Sequence, residues 1–209
     1  MTTFEHAMIG VNGALAAGLH RRYGWKIVAF SGVVAVSPGW DGLTMMAGMT
    51  TFNQAHRVWG HNFLVAVLVG ICLGTLDYRF DFATRIARAA MRIVKRDPQQ
   101  LTMRAAAERR PVGWFCWLMV GVLTALSHLL ADLVYSGGYG LPDWELKLLW
   151  PFSTEGFVYP MIPWGDPGVT IVFVVGMFAM VRLPTRIQSL AGGALLLMVA
   201  YVVLRGFTR

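Results

Sequence analysis

The chain has 209 residues, 56% of them hydrophobic and only 14% charged, with a mean hydropathy of +0.55. A soluble domain averages about 25% charged residues, so this composition excludes an ordinary water-soluble fold and points to one membrane-embedded domain, 1–209. The net charge of +7 sits in bands that lack the interleaved aromatics of a base-stacking platform, so no nucleic-acid partner is expected.

The first ten residues, MTTFEHAMIG, have no basic n-region and contain Glu5 and His6. They make a poor signal peptide, so residues 7–19 are expected to stay as a first crossing. The turn HRRYGWK supplies Arg21, Arg22 and Lys26, and apolar runs follow at 27–38, 62–76, 112–135, 168–181 and 189–204. A spanning helix needs roughly 20 residues; shorter runs tilt, thin the bilayer or reach part-way. The fold expected is an all-α, polytopic helical membrane protein of about five to six apolar helices. Cys72 and Cys116 lie inside apolar runs without partner spacing and read as small packing residues.

Between the third and fourth crossings, residues 79–110 hold nine of the 18 Lys/Arg. Phe82, Ile86, Ala90 and Ile93 recur there at helical spacing with Arg85, Arg88, Arg92 and Lys95 between them. This is the pattern of an amphipathic helix, in a loop spanning 78–110, on an anionic leaflet. Residues 136–167 are rich in Gly, Pro and aromatics and too broken for a simple helix. They read as a lid or re-entrant loop, or as an ordinary interfacial loop. Trp40, Trp59, Trp114, Trp144, Trp150 and Trp164 fall near the expected span ends, as an aromatic belt does.

If every apolar segment crosses, the basic bands at 21–26, 79–110 and 182–186 share one side, with fourteen Lys/Arg. Arg57, Lys147, Arg205 and Arg209 are left on the other. The fourteen-residue side is then cytoplasmic, which predicts an inner-membrane location. His6, Asp41, His56, His61, His128, Asp132 and Asp166 all fall at the opposite, non-cytoplasmic end. Of the five histidines only His20 lies with the basic residues.

His128 and Asp132 are four residues apart, so they project from one helical face. Imidazole and carboxylate are a usual ligand pair for Zn²⁺ and similar ions. His56 and His61 are five apart, with one expected on a loop and one at a helix start. An ion would offset the cost of an intramembrane Asp132 and acidify a bound water to a hydroxide nucleophile. The set reads as a metal or proton site, because intramembrane ionisable groups are functional candidates by default.

The same motifs resemble the YdjM-like family of inner-membrane metal-dependent hydrolases. That family carries a histidine near the N-terminus, then Leu-Pro-Asp-x-Asp-His, then His-Arg-x-x-Thr-His-Ser, then Ser-His-x-x-x-Asp followed by Trp-Pro. Here His6, SPGWDG at 37–42, HRVWGHN at 56–62, SHLLAD at 127–132 and LLWPFS at 148–153 stand at those places. Asp166 matches a later family aspartate. Gly39 replaces the first acid of the second motif and Gly42 its histidine, while Gly60 and Asn62 replace the Thr and Ser of the third. A site with fewer ions, or an inactive relative, is therefore an open alternative. More distantly the set is similar to zinc-dependent phospholipase C and P1-type nucleases, which implies phosphoester hydrolysis by analogy only.

The expectation is a membrane-embedded, metal-dependent hydrolase of an ester, plausibly a lipid phosphoester, with membrane lipid as its environment. Zn²⁺ is the expected ion. His128, Asp132, His56 and Asp41 are its candidate ligands, His6 and His61 are further ligands or acid–base groups, and Asp166 is an additional candidate. The alternative is a non-catalytic membrane protein, either a scaffold or a proton or ion pathway. No internal repeat of the transporter kind is visible.

Overall fold

A computed structural model describes residues 1–83, 85, 86, 89, 113–138 and 142–208. Helix α1 spans Thr3–Ala16 and begins with a capping box. Thr2 Oγ accepts the Glu5 N–H, and the Glu5 carboxylate accepts the Thr2 N–H. The chain reverses through Gly18, whose φ of +69° suits glycine, and the short α2, Leu19–Arg22. Helix α3, Trp25–Val36, runs on as a 3-10 helix over Ser37–Ala47, and α4 covers Met49–Ala55. Asn62 caps α5, Phe63–Phe80, by accepting the Val65 N–H, and Asp81 ends it in the left-handed region. Helices α6, Trp114–Val134, α7, Gly168–Arg182, and α8, Ile187–Phe207, complete the chain. A 3-10 turn, Pro184–Arg186, precedes α8.

The described residues form helices and no strands, only isolated bridges, as expected of an all-α fold. Four segments are long and apolar enough to cross a membrane: Trp25–Ala47, Phe63–Phe80, Trp114–Val134 and Pro184–Phe207. Helix α7 is a shorter apolar helix, and α1, at 14 residues, covers only about 21 Å of a roughly 30 Å hydrocarbon core. The run 27–38 gains its length from the 3-10 continuation, which apolar periodicity did not show.

Helices α5 and α6 cross where Gly70 meets Gly121. A Cβ on Gly121 would lie 2.4 Å from the Gly70 carbonyl oxygen, so two small residues set the approach, as they do between membrane helices. Inside the bundle, Ile27, Phe30, Val34, Trp117 and Leu129 form one core. Met8, Tyr135, Ile162, Val169 and Phe173 form a second, beside α7 and α8. Outside it, Leu123, Leu130, Phe178, Val181, Leu196 and Leu197 are exposed, a surface suited to lipid. Cys72 is on that outer surface rather than in packing, while Cys116 is half-buried.

Residues 135–162 form no helix among those described. Tyr135 bridges to Ile162 and Leu146 to Phe157. The segment bonds to the turn before α5 through Lys147 N–H to the Arg57 carbonyl and Phe63 N–H to the Leu148 carbonyl. The expected amphipathic helix beyond Ala89 lies outside the described residues.

The Gly70–Gly121 contact yields a prediction. Gly121→Val should separate α5 from α6 and lower the thermal midpoint in detergent, with a cost of about 1–3 kcal/mol typical of overpacking. An unchanged midpoint would show that the crossing has slack.

Candidate metal centre

The start of α1, the end of α3 with its 3-10 continuation, the loop before α5 and the end of α6 bring His6, Asp41, His56, His61, His128 and Asp132 together. The helix turn places the His128 Nε2 3.3 Å from the Asp132 Oδ2. His61 Nε2 lies 3.1 Å from that same oxygen and 3.1 Å from His128 Nε2. The other oxygen of Asp132 lies 3.1 Å from His6 Nε2 and 2.6 Å from the Met1 ammonium. Behind His61, Asp41 uses one oxygen on His61 Nδ1 and the Gly60 N–H and the other on His56 Nδ1, all at 2.9 Å. The groups form one string: His6, Asp132, His128 with His61, Asp41, His56.

Hydrogen-bond logic fixes the tautomers. The Ala35 carbonyl, 2.7 Å from His128 Nδ1, can only accept, so His128 carries its proton there and presents a bare Nε2. His61 Nδ1 donates to Asp41 in the same way. Two Nε2 atoms and one carboxylate oxygen then face one another at 3.1–3.3 Å. Such a triangle repels itself unless a proton or a cation stands within it. Burial disfavours the His61 imidazolium, but hydrogen bonds to Asp132 and Asp41 and their charges outweigh it and raise the His61 pKa to about 9. A tetrahedral Zn²⁺ with bonds near 2.0–2.1 Å requires donor separations of about 3.3 Å, so the residues present fit that ion. The carboxylate and carbonyl behind the two rings are the outer supports that metal-bound histidines usually have. Two neighbouring groups, His6/His128/Asp132 and Asp41/His56/His61, each keep their donor atoms within 4.8 Å.

Glycine is required at one contact. A Cβ on Gly60 would sit 1.9 Å from the Pro38 carbonyl oxygen, so only glycine lets this loop reach Asp41. Gly39 and Gly42 also face the centre. A Cβ at 39 would be 3.4 Å from His128 Cε1, and one at 42 would be 4.0 Å from His56 Nδ1. Both positions therefore line the site itself.

His6, His56, His61, His128 and Asp132 line a cavity of about 910 Å³ with Arg57, Phe52, Trp144 and Trp164, and Asp41 is buried behind them. Arg57 was not among the sequence candidates, although it stands between His56 and His61 on the side with few basic residues. Its guanidinium is 2% exposed and donates to the Trp144 and Tyr135 carbonyls. Burial pushes its pKa down, with Asp132 and Asp41 opposing. Glu5 was also missed; it is buried, accepts the Thr170 hydroxyl and ties α1 to α7.

A family model described as YdjM inner membrane protein matches residues 1–209. Comparisons with curated proteins and with solved structures gave no match.

Asp166 lines the same cavity but belongs to neither donor group. Its oxygens accept from Tyr201 Oη at 2.6 Å, the Gly168 N–H at 2.8 Å and Arg205 Nε at 3.1 Å, so it joins the loop to α8. Burial opposes ionisation of Asp166, but these bonds outweigh it and hold the pKa below the ordinary 3.8. A depressed folded pKa contributes stability that is complete above the unfolded value and fades only as pH falls through the lowered one. Asp166→Asn should therefore lower the melting temperature by about 2–4 °C, equally at pH 5.5 and pH 8, without loss of metal. A deficit seen at one of those pH values alone, or a lost ion, would contradict this placement.

Proposed function

The chain belongs to the YdjM inner membrane protein family, and from that premise we propose that it is a membrane-bound, metal-dependent hydrolase. Its ion is Zn²⁺, held by His61, His128 and Asp132. The observation that carries the reading is the triangle of two Nε2 atoms and a carboxylate oxygen at 3.1–3.3 Å, with both imidazoles oriented from behind. Zn²⁺ bound there would supply a Lewis acid and a water acidified toward neutrality.

The remaining work falls to the chain. Asp41 and the Ala35 carbonyl keep the His61 and His128 rings from turning. His6, stacked on His128 with ring centroids 3.6 Å apart, faces the other oxygen of Asp132 and is a further ligand or a proton carrier. His56 is the more open imidazole, with its side chain 22% exposed, and its bond to Asp41 orients it as an acid–base group at the cavity rim. The sequence offered His6 and His61 as further ligands or acid–base groups; geometry favours His56 for the acid–base role, because His61 Nε2 points into the triangle. Trp144 and Trp164 cover the site from the loop, which acts as its lid.

The substrate is an ester with apolar chains. Leu43 lines the cavity, and it and Met45, Met46 and Met49, along the 3-10 helix and the start of α4, are exposed. The short α1 and α7 join the four spans in a six-helix bundle whose centre opens on the non-cytoplasmic side. Gly39 and Gly42 favour one ion over several, and they are the observation behind the second reading, a non-catalytic relative.

Detergent-purified protein should carry about one zinc per chain, and a His128→Ala/Asp132→Ala variant should carry none. Metal in neither protein would end the metalloenzyme reading, while bound zinc without metal-dependent turnover of any lipid ester would favour the non-catalytic one. Single cysteines placed at 142–160 should react with an impermeant thiol reagent from the non-cytoplasmic side. Labelling only from the cytoplasm would invert the site.

A further inference from the structure

We infer that Arg57 is the anion-binding group of this cavity, so that the ligand presents a phosphoryl oxyanion, not an uncharged ester, beside the metal-binding atoms. The inference rests on the hydrolase reading for its setting and adds the chemical class of the substrate. A guanidinium 2% exposed is costly unless its charge is answered. The nearest carboxylate oxygen, Asp132 Oδ1, stands 3.9 Å away and is already engaged by the Met1 ammonium and His6. The two hydrogen bonds that Arg57 makes, to the Trp144 and Tyr135 carbonyls, fix the plane of the guanidinium without neutralising it. The rings of Trp144 and Trp164 lie 5.9 and 5.2 Å from its central carbon and hold it further.

The backbone adds an independent sign. Arg57 has a φ of +64°, a region that residues other than glycine seldom occupy and one that clusters at ligand sites. The bond from Lys147 N–H to its carbonyl helps keep it there.

Charge gives the class of partner. A divalent ion and Arg57 bring three positive charges, and Asp41 and Asp132 bring two negative ones, which leaves one positive charge over. Glu5 and the Met1 ammonium, which line the same cavity, cancel, as do Asp166 and its partner Arg205, and leave that excess unchanged. One phosphoryl oxyanion balances it. Arginine's planar fork matches phosphoryl oxygens as an ammonium does not. A lipid headgroup and free phosphate share this chemistry.

The test uses the whole protein in detergent micelles with its zinc content measured. Melting shifts would be titrated with phosphatidate, with diacylglycerol of the same chains, and with inorganic phosphate. Phosphatidate should stabilise the protein and diacylglycerol should not. Arg57→Lys should weaken phosphatidate at least tenfold, and Arg57→Gln more, both with zinc content unchanged. Stabilisation by inorganic phosphate as well would support the assignment with a soluble source of the anion. Its failure beside phosphatidate binding would support it with a lipid source. Equal stabilisation by diacylglycerol in the wild type would overturn it, whether or not the variants fold. So would an Arg57→Gln protein that binds phosphatidate normally, or one that loses its zinc. Wild-type protein without zinc would sink the metal reading, while the phosphatidate and diacylglycerol arms still decide this one.

Discussion

Asp132 places a carboxylate, 4% exposed, near the end of an otherwise apolar helix, where each of its oxygens must be answered by the protein. One oxygen meets His61 and His128, and the other meets His6 and the Met1 ammonium, with Arg57 just beyond. Those partners come from the start of α1, the loop before α5 and α6 itself. The carboxylate therefore specifies how three parts of the bundle sit against one another. Asp41 repeats the arrangement one layer out, where a fully buried carboxylate is shared between His56 and His61. His61 is the joint between the layers because its two ring nitrogens serve different carboxylates.

Such a network tolerates little displacement, and the packing around it accounts for its position. Gly70 and Gly121 bring α5 and α6 close enough for the loop before α5 to reach the end of α6. Gly60 lets that loop lie against the 3-10 helix that carries Asp41. The 3-10 helix lowers Asp41 to the level of His61, and its exposed methionines leave an apolar approach to the cavity. The same features that order the polar string thus keep it next to a surface suited to lipid.

The two ends of the bundle contrast in their electrostatics. Among the described residues, Arg21, Arg22, Lys26, Arg79, Arg182 and Arg186 stand at or next to the helix ends opposite those that carry the site, where a surface charge can meet anionic headgroups. Arg57 is at the other end and buried, held by carbonyls and indole rings. A cation placed against the general asymmetry and desolvated is a feature of the site, not of the membrane orientation.

The sequence by itself determined the helical membrane class, the pairing of His128 with Asp132 and the gathering of the polar residues at one end. These follow from composition, from 3.6-residue periodicity and from the alternation of crossings, all of which are local or additive. It left open which of about five to six apolar helices are long enough to cross, because the length of α1 and α7 and the 3-10 continuation of α3 depend on caps and packing rather than on apolar content. Only the tertiary structure decided that His61, not His56, completes the triangle with His128 and Asp132, that Asp166 pairs with Tyr201 and Arg205, and that Arg57 turns inward. Those outcomes depend on which ring nitrogen meets which acceptor and on a loop with a left-handed residue. Spacing along a chain carries no record of such through-space geometry.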